Sequence, residues 1–149
     1  MRADAGLTKT AAAIRNRSVS ATEVTRAALA RIEAGNPKIN AFTAVTHERA
    51  LKEAARVDAA IAAGGDPGPL AGVPYAVKNL FDIEGLPTLA GSRINAERAA
   101  AVRDAVLIER LQRAGAILVG ALNMDEYAYG FTTENTHYGP TRKIGRAHV

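Results

Sequence analysis

The sequence predicts an α/β protein: an N-terminal helical layer, then the first strands of a mixed central sheet flanked by helices. Three observations carry this. Residues 7–63 hold capped amphipathic helical patterns. The run Gly64-Gly65-Asp66-Pro67-Gly68-Pro69 then breaks the chain as a loop. Beyond it, short apolar runs at 73–77 and 116–120 stand either side of a helical pattern, the strand, helix, strand order of an α/β sheet.

Residues 7–17 read as the first helix. The second opens at Ser20-Ala21-Thr22-Glu23, a capping box in which serine and glutamate each satisfy a free backbone N–H of the other. Val19 and Val24 are spaced for a hydrophobic staple, and Val24, Ala28 and Ile32 lay one apolar stripe at intervals of four. Gly35-Asn36-Pro37 is expected to stop this helix. Residues 39–45 have the length and β-branched content of a strand or extended segment. Thr46 is placed to cap a third helix running to about Ala63, with Ala50, Ala54, Val57 and Ile61 facing inward.

After the loop, residues 73–77 read as a buried strand and residues 83–103 as irregular, with Gly85, Pro87 and Gly91. Asp104 is expected to cap a helix whose inner face is Leu107, Ile108, Leu111 and Ala114, closed by Gly115. Residues 116–120 then form a buried strand of the parallel type.

Composition narrows the function classes. Of the 149 residues 48% are hydrophobic, but 32 are alanine, which buries little area, so the core is expected to lean on a larger body. The absence of cysteine excludes a disulfide scaffold, a thiolate metal site and a cysteine nucleophile, and fits a reducing compartment. No apolar run nears the roughly 20 residues that cross a bilayer. Residues 1–6 carry no apolar segment of a secretory signal, so a soluble, cytoplasmic protein is expected. Residues 1–142 hold 17 basic against 15 acidic groups, a balance too even and scattered for nucleic-acid binding.

The end of the chain changes texture. Ile144-Gly145-Arg146-Ala147-His148-Val149 is the translation of ATC GGA AGA GCA CAC GTC, part of a common sequencing adapter. Residues 143–149 are therefore expected to be a non-native read-through tail, with the true frame continuing past Arg142.

Two places could carry chemistry. Lys78 leaves the 73–77 strand at its C-terminal edge, where α/β folds place their sites. A lysine desolvated there favours the neutral amine and can serve as a general base; the other reading is an ordinary surface lysine. Residues 123–135 follow the next strand edge, and four of the seven aromatics lie between Tyr127 and Tyr138. These aromatics either line a pocket or pack a loop. Asp125 and Glu126 read as the acidic first turn of a helix in preference to an acid–base pair. His47, His137 and His148 lack metal-ligand spacing, and neither a phosphate loop nor a Ser-His-Asp arrangement is readable.

Several blocks in order resemble the amidase signature family. They are Leu70-Ala71-Gly72-Val73-Pro74-Tyr75-Ala76-Val77-Lys78-Asn79, the run from Gly85 to Ser92, Asp104-Ala105-Val106, Leu111 to Ala116, Asn123-Met124-Asp125-Glu126, and Thr133 to Arg142. The Asn-Leu-Phe-Asp run after Lys78 and the Tyr-Ala-Tyr-Gly-Phe run are most similar to the carboxybiuret hydrolase branch. The glutaminase component of glutamyl-tRNA amidotransferase is similar but usually has aspartate where this chain has Asn79.

The resemblance implies that residues 1–142 are the N-terminal part of a single amidase domain, an incomplete amidase signature fold. It implies a serine nucleophile, a second serine on a cis peptide bond, and a lysine that accepts the proton. Lys78 maps onto that lysine, and the two serines fall beyond the last matched block. Tyr129, Gly130, Phe131 and Thr132 would line the substrate channel. The implied partners are a small-molecule amide and, in both leading branches, a small partner subunit, with room for a homo-oligomer. Neither a cofactor nor a metal is implied, and nucleic acid enters only under the amidotransferase reading. A reading of another class is a non-catalytic helical interaction module built on the N-terminal helices.

Overall fold

The computed structural model describes residues 6–142. The expected tail at 143–149 lies outside them. The elements run α1 (Leu7–Arg15), α2 (Ala21–Ile39), β1 (Phe42–Val45), α3 (His47–Ala62), β2 (Pro74–Lys78), α4 (Val106–Arg113), β3 (Ile117–Leu122), β4 (Glu134–Asn135) and β5 (Gly139–Pro140). The first three strands form one sheet in the order β1-β3-β2, with β1 antiparallel to β3. Ile117 donates to the Val73 carbonyl and Asn79 to that of Leu122, so β2 and β3 advance together as a parallel pair. The sheet is mixed, as the sequence predicts. β4 and β5 make a separate two-stranded ladder.

The described residues fall into two compact units. The first holds residues 6–30, 46–76 and 106–119. Its core takes Ala11 and Ile14 from α1, Ala21, Val24 and Leu29 from α2, and the predicted inner face of α3, Ala50, Ala54, Val57 and Ile61. The capping box forms: Ser20 N–H donates to Glu23 Oε2 at 2.8 Å and Glu23 N–H to Ser20 Oγ at 3.0 Å. Asp58 of α3 completes the cap by accepting Ala21 N–H at 2.7 Å and Thr22 N–H at 3.0 Å. Gly72 has φ +68°, and a Cβ there would stand 2.5 Å from Ile14 Cδ1 and 2.8 Å from Ala21 Cβ, so this turn requires glycine.

Thr46 stands at the N-cap of α3 but makes no side-chain cap bond. Its hydroxyl donates instead to the Leu118 carbonyl of β3 at 2.7 Å. The expected inner face of α4 narrows to Ile108, which is fully buried, while Leu107 is exposed.

The second unit holds residues 31–45, 77–105 and 120–142. Here α2 runs through Gly35 and Pro37 to Ile39, past the expected stop. A proline near a helix end removes only one donor, and Asn36 ties down the chain that follows. Its Oδ1 accepts Ala41 N–H at 2.9 Å and Phe42 N–H at 2.8 Å, and its Nδ2 donates to the Phe42 carbonyl at 3.0 Å. The left-handed residue that ends the helix is Asn40, with φ 55°. The same bonds shorten the expected strand from 39–45 to Phe42–Val45.

Candidate active site

The site is built from the second unit. Alternation along β2 buries Val77 and exposes Lys78 at the strand's last position. The chain thus places Lys78 at a C-terminal strand edge. Its side chain is open to solvent, so the described residues do not by themselves bury it.

The next residue, Asn79, is buried and bonded at every polar group. Its N–H donates to the Leu122 carbonyl at 3.0 Å and its carbonyl accepts Ala90 N–H at 2.9 Å. Its Oδ1 accepts Gly91 N–H at 3.0 Å and its Nδ2 donates to Thr43 Oγ1 at 3.2 Å. The end of β2 is therefore tied to β1, to β3 and to the 90–91 turn.

Gly91 links this strand end to the aromatic segment. Its φ is +69°, and a Cβ there would meet Asp125 O at 2.7 Å and Met124 O at 2.9 Å. Asn135 holds the other side, donating Nδ2 to Gly91 O at 2.6 Å and to Met124 O at 2.9 Å. Asn135 Oδ1 accepts His137 N–H at 2.8 Å and Tyr138 N–H at 2.9 Å. Tyr127 N–H donates to Ala90 O at 2.8 Å. Two buried asparagines thus clamp one turn from opposite sides.

Residues 125–128 correct the expected helix start. The segment makes only a short 3-10 turn at Glu126–Ala128, and Tyr127 and Ala128 take φ 53° and 57°. These left-handed conformations end the helix before it propagates. Asp125 does not begin a helix; its Oδ2 accepts Gly130 N–H and folds the chain back. Tyr129 and Phe131 follow at 96% and 108% exposure, with Gly130 and Thr132 also exposed. They neither pack a loop nor close a pocket among the described residues. Nowhere in those residues do three His, Asp or Glu side chains gather to hold a metal, and no helix is long and apolar enough to cross a membrane.

Asn79 and Asn135 shape this turn, a role the sequence does not assign to either. Their signal was position alone: Asn79 adjoins the lysine, and Asn135 lies in the Thr-Glu-Asn run.

A mixed sheet, a lysine at a strand edge and an asparagine-braced turn beside it define a class, and the comparisons with known proteins identify it. The family model for Amidase matches residues 23–143, and the chain belongs to this family, the amidase signature enzymes. It is 63% identical over 123 residues to AtzE, a 1-carboxybiuret hydrolase subunit of Pseudomonas sp. (strain ADP), covering 83% of this chain and 27% of that protein. It is 48% identical over 132 residues to the GatA-type component of the glutamyl-tRNA(Gln) amidotransferase of Acidothermus cellulolyticus, covering 89% of this chain and 26% of that one.

Among solved structures it superimposes with TM-score 0.90 and 57% identity on a chain of an inhibitor-bound complex, described as an unexpected vestigial protein complex that reveals the evolutionary origins of an s-triazine catabolic enzyme. That match covers 91% of this chain and 30% of that one. A bacterial aryl acylamidase of the amidase signature family follows at TM-score 0.85 and 30% identity, covering 93% and 29%. The chain thus spans little more than a quarter of the curated relatives it matches.

Proposed function

We propose that this chain is the N-terminal part of an amide hydrolase acting on a small linear amide such as carboxybiuret and releasing ammonia. The carrying observation is the 63% identity to a 1-carboxybiuret hydrolase component, against 48% to a component of the amidotransferase. In this reading a serine outside residues 1–142 attacks the amide carbonyl. Its proton passes through a second serine to Lys78, the amine leaves protonated, and water releases the acyl group. Lys78 is the general base, and Tyr129, Gly130, Phe131 and Thr132 border the substrate channel. Such a base must rest neutral, which calls for further chain to cover the exposed lysine. Without the nucleophile, residues 1–142 alone are inactive.

The vestigial complex of the matched structure supports a small partner subunit. The amidotransferase matches support a second reading, a glutamine amidase serving tRNA; against it stands Asn79, where resemblance to that branch implies aspartate. Genomic DNA read across the Arg142 codon tests the frame. Continuation into a Gly/Ser-rich stretch is expected; a stop after Val149 overturns the amidase reading in favour of a helical binding module. In the full-length protein, ammonia release from carboxybiuret, abolished by Lys78→Ala, is the expected result. Glutamine-dependent amidation of misacylated tRNA with no release from carboxybiuret would overturn it.

A further inference from the structure

We propose that Asn79 is a positioning residue that aims Lys78, and that the chemistry at its side chain favours asparagine over aspartate; this rests on Lys78 being the general base. Gly91 N–H is only a donor, so the atom facing it at 3.0 Å must be Oδ1, which leaves Nδ2 facing Thr43 Oγ1 at 3.2 Å. The Thr43 hydroxyl has one proton, and it is given to the Ala121 carbonyl at 3.3 Å. While that bond is made its oxygen accepts, and the group at position 79 donates there while accepting at Gly91. An amide does both. A carboxylate accepts at Gly91 but engages Thr43 only by drawing its proton from Ala121, and it would sit buried beside a mostly apolar cavity of about 230 Å³ bordered by Thr43, Phe81, Ile83 and Leu86.

Asn79 touches the base through a peptide bond and fixes the strand end from four sides. Loosening it redirects Lys78 without removing a substrate contact. Misplacement of a reacting group by an ångström costs rate steeply.

The test is steady-state ammonia release by the full-length enzyme. Asn79→Asp is expected to lower kcat about 10- to 100-fold with KM within about twofold of the parent. Thr43→Val, which removes the acceptor, is expected to lower kcat in the same direction by a smaller factor, and Thr43→Ser, which restores the hydroxyl, to recover it. With kcat expressed per folded, active-site-titrated enzyme, a purely structural role would leave it at the native value in every folded variant. If Asn79→Asp does not fold, the Thr43 pair decides. Native kcat in Thr43→Val overturns the positioning role. Lys78→Ala separates the two readings: an active variant removes the base itself, whereas an inactive one beside native Asn79 and Thr43 variants removes only the positioning role.

Discussion

Glu53 Oε2 of α3 accepts the backbone N–H of Leu118 in β3 at 3.0 Å. β1 pairs with β3 only as far as Val45 opposite Gly120, and the chain then turns into α3. The carboxylate takes over where the neighbouring strand ends. Its other oxygen accepts Arg49 Nε at 2.8 Å and Gln112 Nε2 at 3.0 Å, and the residue is only 5% exposed. A buried charge is tolerated when it is paired and bonded in this way.

Removing that carboxylate leaves the Leu118 donor and the Arg49 charge without it. Glu53→Ala is expected to destabilise the full-length protein by about 3 kcal/mol, with Glu53→Gln milder because an amide oxygen still accepts. Hydrogen exchange at the Leu118 amide checks it: exchange should quicken sharply in the alanine variant and less in the glutamine one.

Gly91 admits no side chain. A Cβ there would press on two backbone carbonyls, those of Met124 and Asp125, and backbone cannot swing aside as a side chain can. Gly91→Ala is expected to cost about 1–3 kcal/mol in strain and to displace the 124–132 segment. Chemical shifts of Tyr127 to Thr132 measure the displacement; unchanged shifts would refute the clamp.

Glu23 reports its capping box. Hydrogen bonds from the Ser20 backbone and hydroxyl hold its carboxyl below the usual 4.5. A depressed acid stabilises the fold fully above its unfolded value, and the contribution is lost as pH falls from about 4.5 through the lower folded value. Ser20→Ala is expected to raise the Glu23 pKa toward 4.5 by removing the hydroxyl donor, while leaving the backbone bond. Carboxyl titration by NMR reads this directly.

Asp58 caps α2 from another helix, taking the N–H groups of Ala21 and Thr22 and the Thr22 hydroxyl. Asp58→Ala is expected to cost about 1–2 kcal/mol, as other lost N-caps do, and Asp58→Asn less. Urea unfolding midpoints of the three proteins give the order.

Short-range rules were enough for much of this fold. Ser20 and Glu23 announce the start of α2 because a capping box closes within four residues. The spacing of Ala50, Ala54, Val57 and Ile61 announces the buried face of α3, because periodicity is written along one helix. The family was legible in the blocks from Leu70 to Asn79 and from Thr133 to Arg142, since motif order survives in one dimension. What failed was what backbone conformation or a distant partner decides. Thr46 looks like a cap, yet it bonds to Leu118, 72 positions away. Pro37 looks like a stop, yet the helix runs past it to Ile39 and ends only at the left-handed Asn40. Asp125 looks like a first turn, yet Tyr127 and Ala128 leave the helical region. Asn79 and Asn135 carry no pattern of their own; they matter because folding brings Gly91 between them. A side-chain amide reads as ordinary polarity until its partners are in place, and those partners lie 12 and 44 residues away along the chain.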